Sequence, residues 1–281
     1  MKENNWFDPF YIQSHLSEEE SNIQKNVRDF CNNELKPTVV ERNRKNEFDQ
    51  SLYPKFGSLG VLGQTVKTHG GSGTSNLAYG LVAYEFEKID SSYRSSISVQ
   101  SSLVINPINE FGSQEQKDKY LPPLIKGEKI GCFGLTESEA GSDPASMKTS
   151  FKKTKNGYII NGSKNWITNA PIADIFIIWA IEENKDHKSI KGFIIEKNTE
   201  GLNTSTIENK TSLKISPTGQ IILNNVFVPS NFCLENTEGW KSVFSCLNKA
   251  RFGISWGVLG SASECWLIAK DYVENLSLIN I

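Results

Sequence analysis

The chain has 281 residues, of which 38% are hydrophobic and 22% charged, the balance of an ordinary globular protein and not of a disordered one. Thirty Lys and Arg against thirty-two Asp and Glu leave a formal charge of −2, so no basic stripe is available for phosphates and no nucleic-acid partner is expected. This length allows one large or two medium domains, and apolar runs such as Ile175 to Ile181 are far too short to span a bilayer, so no membrane insertion is expected.

In chain order, Ser17 before Glu18, Glu19 and Glu20 reads as an N-cap with first-turn acids, and Ile23, Val27 and Phe30 then recur at helical spacing until Pro37 interrupts. A second helix is expected near Leu52 to Leu59, closed by Gly60 and Gly63. The His69 to Asn76 loop contains His69-Gly70-Gly71-Ser72-Gly73. That run lacks the Lys-Ser/Thr of a phosphate loop and is read as a connection. Leu77, Leu81, Val82, Ala83, Phe86 and Ile89 then make a wide apolar stripe. Arg94 follows this predicted helix, and Ser113 caps a short helix expected to end before Pro122 and Pro123.

From Ile130 to Pro229 the period falls to two. Asn156-Gly157 between Phe151 to Thr154 and Tyr158 to Ile160 is a hairpin signal. Further strands are expected at Lys164 to Thr168, Ile175 to Ile181, Gly192 to Glu196 and Gln220 to Val228, a pattern that suggests an antiparallel barrel or sandwich. From about Gly239 a helical pattern returns in Val243, Leu247, Ala250, Ile254, Val258, Ser261 and Ile268. The expected organisation is α+β, with a helical domain over 1–129, a β-domain over 130–236 and the start of a second helical domain over 237–281.

Five cysteines, Cys31, Cys132, Cys233, Cys246 and Cys265, contain no Cys-x-x-Cys pair and read as reduced residues. His15, His69 and His187 show no metal-ligand spacing. Glu3 and Asp8 come where a transit peptide would be acid-poor. A cytoplasmic location is therefore expected, with the mitochondrial matrix as the alternative if a transit peptide precedes Met1.

Two segments carry the chemistry. Gly131-Cys132-Phe133-Gly134 runs as an apolar strand into Leu135-Thr136-Glu137-Ser138-Glu139-Ala140-Gly141-Ser142-Asp143-Pro144. Such a loop can aim backbone N–H groups and hydroxyls at a ring edge or a pyrophosphate. Trp166-Ile167-Thr168 sets an indole beside a hydroxyl, which suits a planar cofactor. Gly-Ser-Asp-Pro alone is ordinary turn chemistry. Taken jointly, the two segments resemble the flavin-binding segments of the acyl-CoA dehydrogenases. Tyr93 to Ser102 and Phe244 to Arg251 are similar to the glutaryl-CoA dehydrogenase branch, and the resemblance runs from about Trp6 to about Tyr272.

The resemblance implies an N-terminal all-α domain, a middle antiparallel β-barrel domain and a C-terminal four-helix bundle, of which this chain holds only the first helix. It implies FAD, held by Phe133, Leu135, Thr136, Gly141, Ser142, Trp166, Ile167 and Thr168. Leu135 and Thr136 would bond the pyrimidine side, Ser142 would lie between the pyrophosphate and the thioester, Trp166 would cover the ring and Thr168 would bond near N5. The acyl-CoA substrate would meet Arg94, Ser95, Ser142, Phe244, Leu247, Asn248 and Arg251, with Arg94 and Ser95 taking a terminal carboxylate. A lone Arg at a helix end is usually solvated or capping, whereas a guanidinium fork suits a carboxylate. Glu87 corresponds to a glutamate near that pocket, although its residue type alone reads as surface.

The implied reaction is FAD-dependent α,β-dehydrogenation of an acyl-CoA thioester, first of glutaryl-CoA, giving crotonyl-CoA with loss of CO2. The alternatives are another short- or branched-chain acyl-CoA, or a non-enzymatic flavin- or CoA-binding remnant. The implied partners are an electron-transferring flavoprotein as acceptor and further copies in a homotetramer. The glutamate base of the family is expected beyond Ile281, so no catalytic residue is assigned; Glu264 and Glu274, the nearest acids, do not match its position. After Tyr272 the pattern departs, Val273 to Ile281 standing where an arginine and a Phe-Gly pair would continue. Val243, Leu247, Ile254, Val258 and Ile268 are accordingly expected to face water.

Overall fold

The computed structural model describes residues 8, 11–185 and 189–276. Glu3, Trp6, His187 and the tail 277–281, to which sequence expectations were attached, lie outside the described residues. Among the described residues from 11 to 129 every regular element is helical. Helix α1 (Glu18–Phe30) begins with the expected cap: the Ser17 hydroxyl accepts from the Glu20 amide while the Glu20 carboxylate accepts from the Ser17 amide. A π-helical turn at Cys31–Leu35 extends its path toward Pro37. Helices α2 (Val39–Lys45), α3 (Leu52–Ser58) and α4 (Asn76–Glu87) follow. Helix α5 (Ser91–Ser98) continues through a π-helical stretch, Val99–Ile105, into α6 (Asn106–Phe111), so Arg94, which follows α4 as expected, itself lies in the next helix.

Helix α7 (Gln114–Ile125) has the Ser113 cap but runs through Pro122 and Pro123 to Ile125. The two prolines withhold amides from the carbonyls of Asp118 and Lys119. Both of those residues are exposed, so water can satisfy them, while Leu121, Leu124 and Ile125 bury their side chains in the core.

Seven strands form one sheet: β1 (Gly131–Gly134), β2 (Ser150–Lys153), β3 (Gly157–Thr168), β4 (Ile175–Glu182), β5 (Lys191–Glu196), β6 (Leu202–Thr206) and β7 (Thr218–Pro229). Their order is β1-β4-β2-β3-β7-β6, with β5 also on β4. The Asn156-Gly157 hairpin is present, with Lys153 opposite Tyr158. Most pairings are antiparallel, but β1 and β2 both run parallel to β4. Strand β3 fuses two expected strands by passing through irregular register. Strand β6 went unseen because Asn203 to Thr206 are polar and exposed, which leaves no alternation to read.

The apolar run of β4 feeds two cores at once, as its period of two requires. Ile175, Ile177, Trp179 and Ile181 join the core shared with the helices. Phe176, Ile178 and Ala180 join a second core enclosed by the curled sheet. Two buried amides tie the layers together. Gln100 donates to Leu124 O (2.9 Å) and Lys129 O (2.8 Å) and accepts from the Gly131 amide (2.8 Å). Asn169 donates to Tyr53 Oη (2.7 Å) and Gly131 O (3.1 Å).

Helix α8 (Trp240–Glu274) lies across α4. Gly253, Gly257 and Gly260 are buried on that contact, and a Cβ at Gly260 would stand 2.1 Å from Tyr84 O. Val243 is buried as well, contrary to expectation, because it falls on the same face as Cys246, Ala250 and the glycines. Leu247 is half-buried, whereas Ile254, Val258 and Ile268 are 42%, 53% and 62% exposed. Among the described residues no helix is long and apolar enough to cross a membrane, and no His, Cys, Asp and Glu cluster could hold a metal ion. All five cysteines are free.

The glycine contact makes a specific prediction. Gly260→Val should pry α8 from α4 and lower unfolding stability by about 1–3 kcal/mol, the usual penalty of overpacking. Ala262→Val, on an exposed position, should be near neutral, and urea unfolding of the two variants compares them.

Candidate functional site

The ends of β1 and β3 meet the π-helical stretch and α8 around a cavity of about 170 Å³. Phe133, Leu135 and Thr136 come from β1 and its loop, and Trp166, Ile167 and Thr168 from the end of β3. Six residues expected at a flavin are thus brought together from two segments. Val99, Leu103 and Leu247 close the other side. Leu247 was expected at the substrate. Val99 and Leu103 were missed, although their spacing of four marks one helical face.

Local backbone sets the exposed indole. The β3–β7 register slips between Lys164 and Ile167, and Trp166 adopts a left-handed φ of 60°. Its amide donates to Asn165 Oδ1 at 3.0 Å. This bulge turns the Trp166 ring out of the sheet and leaves it 58% exposed at the cavity. The Thr136 and Thr168 hydroxyls, both half-buried, have no hydrogen-bond partner among the described residues.

Below the cavity lies a buried ion pair that sequence reading missed. Lys164 is fully buried, and its Nζ donates to Leu135 O at 3.0 Å and Glu137 Oε1 at 2.8 Å. Glu137 also accepts from the amides of Lys148 (2.7 Å) and Thr149 (3.0 Å). Burial pushes the Lys164 ammonium below its ordinary value against the pull of Glu137. Burial also works to raise the Glu137 carboxyl, but the Lys164 charge and the hydrogen bonds it accepts carry it below the usual range. The Asn165 amide donates to Thr136 O at 2.9 Å, so the two loop carbonyls at the cavity are both fixed from within the protein.

Gly141 and Ser142 are exposed on the loop beyond and do not line this cavity. Asp143 caps the short turn Pro144–Ser146, accepting from the Ala145 amide at 3.2 Å, so this part of the motif does carry out turn chemistry.

The expected substrate residues divide. Arg94 lies at a recess lined by Tyr79, Val82, Ala83, Phe86, Ile97 and Ser98. Its Nε donates to Glu87 Oε2, and Ser91 Oγ donates to Glu87 Oε1 at 2.5 Å. Glu87 is therefore buried and paired, which corrects its reading as a surface residue: it ends α4, and the turn into α5 brings Arg94 back onto it. The two Nη groups of Arg94 have no hydrogen-bond partner among the described residues. A Cβ at Gly257 of α8 would come within 2.7 Å of Glu87 Oε2 and 3.3 Å of Arg94 Nε, so only glycine lets the helix close over this pair. Ser95 is half-buried and does not line the recess. Phe244, Asn248 and Arg251 are exposed, Arg251 Nη1 donating to Asn248 Oδ1 at 2.8 Å.

No described carboxylate lines the flavin-side cavity. Glu264 pairs instead with Lys36 at 2.9 Å and Glu274 with Lys270 at 3.1 Å.

Comparison with known proteins agrees with this geometry. Residues 17–128 match the acyl-CoA dehydrogenase N-terminal domain and residues 132–226 the acyl-CoA dehydrogenase middle domain. The short-chain specific acyl-CoA dehydrogenase of Clostridium acetobutylicum is 35% identical over 92% of this chain and 69% of its own length. A glutaryl-CoA dehydrogenase from Mycobacterium smegmatis, solved in complex with FADH2, superposes with a TM-score of 0.88 at 40% identity, over 91% of this chain and 65% of that one. The butyryl-CoA dehydrogenase of Megasphaera elsdenii superposes with a TM-score of 0.87 at 34% identity, over 93% of this chain and 70% of that one. This chain thus spans about two thirds of the length of the relatives it matches. On the sequence match, the superposition and the assembled cavity together, the chain belongs to the acyl-CoA dehydrogenase family.

Proposed function

We propose that the cavity between β1, β3 and α8 holds the isoalloxazine of FAD, and that the recess at Arg94, closed in this structure, opens to take the acyl group of a CoA thioester carrying a terminal carboxylate, as in glutaryl-CoA. The fit to a flavin rests on the exposed Trp166 face and on two unpartnered hydroxyls, Thr136 and Thr168, at the cavity rim. When bound, FAD supplies the hydride acceptor for α,β-dehydrogenation. The chain's own residues bind and orient: Trp166 covers the ring, Thr168 and Thr136 hydrogen-bond its edge, and the fixed carbonyls of Leu135 and Thr136 hold the loop still. Gly141 and Ser142 would meet the pyrophosphate side, and Phe244, Asn248 and Arg251 the CoA arm.

The observation that carries the substrate reading is Arg94. Its Nε is held by buried Glu87 while both Nη groups have no hydrogen-bond partner among the described residues, beside a recess lined by Tyr79, Val82 and Phe86. A fork presented in this way matches a carboxylate bidentately. A second reading, a dehydrogenase of neutral short- or branched-chain acyl groups, is favoured by the Glu87 carboxylate, which already neutralises Arg94, and by relatives of that specificity. An electron-transferring flavoprotein as acceptor and a homotetrameric assembly complete the proposal on family resemblance.

Three outcomes test it. Arg94→Met should weaken glutaryl-CoA binding by about ten- to a hundred-fold more than butyryl-CoA binding, since truncating one side of a buried charge pair costs several kcal/mol. Because that substitution strands Glu87, the Glu87→Gln/Arg94→Met double variant should show the same discrimination in calorimetric titration with folding preserved. Equal losses on both thioesters would favour the neutral-substrate reading.

Thr168→Val should weaken FAD by roughly two- to ten-fold, the worth of one net hydrogen bond. Cys132→Ala, in the second core, should leave the visible flavin band intact on titration.

Finally, with no described carboxylate at the cavity, the 281 residues alone should not bleach bound flavin rapidly when glutaryl-CoA is added anaerobically. A missing general base typically slows such a step by about 10²–10⁴.

A further inference from the structure

On another part of the surface, α2, the turn after β3 and the segment joining β6 to β7 enclose a cavity of about 350 Å³ that shares no lining residue with the flavin-side cavity. Lys45, Lys210 and Lys214 line it over an apolar floor that includes Phe48, Ile172 and Ile215. Two of the three ammonium groups have no counter-charge among the described residues. Lys210 Nζ donates only to neutral oxygens, among them Leu213 O at 2.7 Å and Thr218 Oγ1 at 2.8 Å, as well as Ser216 O, and burial pushes its pKa down. Lys214 is half-buried and makes no ion pair or side-chain hydrogen bond there. Lys45 pairs with Glu41 at 2.6 Å. Glu208 also lines the cavity but is exposed and pairs with none of these lysines.

The second observation is a hydroxyl. Ser216 lines the same cavity, is 2% exposed, and its Oγ has no hydrogen-bond partner. Buried polar atoms are nearly always satisfied, and an orphan calls for an absent partner. An orphan hydroxyl beside two uncompensated ammonium groups selects an acceptor-rich, negatively charged partner. The apolar floor selects one with an organic body.

We propose that this cavity binds a small organic anion, whose phosphate or carboxylate head meets Ser216 and Lys214 in the field of the Lys210 charge and whose apolar body lies on Phe48, Ile172 and Ile215.

The test uses the full chain labelled at isoleucine δ-methyls, titrated with phenyl phosphate, benzoate and neutral benzyl alcohol. At least one anion should shift the Ile172, Ile207 and Ile215 methyls with a Kd below about 1 mM, leaving Ile167 of the flavin-side cavity unmoved. The tighter of the two anions identifies the head group. Lys214→Met should weaken that anion about ten-fold or more. Ser216→Ala should weaken it severalfold without lowering the Tm, because it removes an unsatisfied group. The proposal is overturned by absent shifts up to about 10 mM anion, by benzyl alcohol binding as tightly as the anions, or by unchanged affinity in Lys214→Met. It is equally overturned if Ser216→Ala lowers the Tm but leaves affinity intact, which would assign the hydroxyl to a buried water.

Discussion

The flavin-side cavity depends on one buried cation. Lys164 has no exposed surface, and its ammonium joins the Leu135 carbonyl to the Glu137 carboxylate. Desolvating two charges is expensive, and a buried pair is seldom retained for stability alone. Here its geometric effect is plain. Strand β3 supplies the lysine two residues before Trp166, and the loop after β1 supplies both acceptors. Glu137 in turn gathers the amides of Lys148 and Thr149 at the loop's far end. One side chain thus fixes the Leu135 carbonyl beside Thr136 and, through Glu137, the return of the chain toward β2. A hydrophobic residue in its place could fill the volume but could not hold a carbonyl and a carboxylate in one orientation.

The second constraint is steric. Helix α8 approaches α4 so closely that Tyr84 O and the Glu87–Arg94 pair occupy the space where side chains of Gly260 and Gly257 would stand. Burying Glu87 and Arg94 under a helix would be costly for either charge alone; together, with Ser91 on the remaining carboxylate oxygen, they are compensated. What is left over is the outer edge of the guanidinium.

Much of this was legible in the sequence, and the parts that were not have physical reasons. The Ser17 and Ser113 caps and the Asn156-Gly157 turn are local, so three or four residues suffice to read them. The convergence of Phe133 to Thr136 with Trp166 to Thr168 was legible only through resemblance, because β1 and β3 are not neighbours in the sheet and meet only through its curl. Lys164 and Glu137 look like surface charges in a half-polar strand and loop; only the curl of the sheet buries them. Glu87 was misjudged because its partner lies in the next helix and α8 covers the pair. Strand β6 is polar on both faces and gives no periodic signal at all. Val243 was assigned to the wrong face because the face packed on α4 is written in small residues, Cys246, Ala250 and three glycines, which carry little hydrophobic weight.

That last point links the helix to the site. The large apolar residues of α8, among them Val258, Leu259, Trp266 and Ile268, stay exposed, and leaving such side chains in water forgoes roughly 1.5–3 kcal/mol apiece. Its attachment to this chain therefore comes chiefly from backbone-close packing on α4 and from Val243 and Cys246 at its beginning. The same helix contributes Leu247 to the flavin-side cavity and Gly257 to the cover over Arg94. A small rotation of α8 about its axis would carry Leu247 away from Thr168 and open the space above the guanidinium in one movement. The cavity between β1 and β3 and the recess at Arg94 are thus two consequences of a single helix-to-helix fit, in which glycines set the distance and one leucine marks the angle.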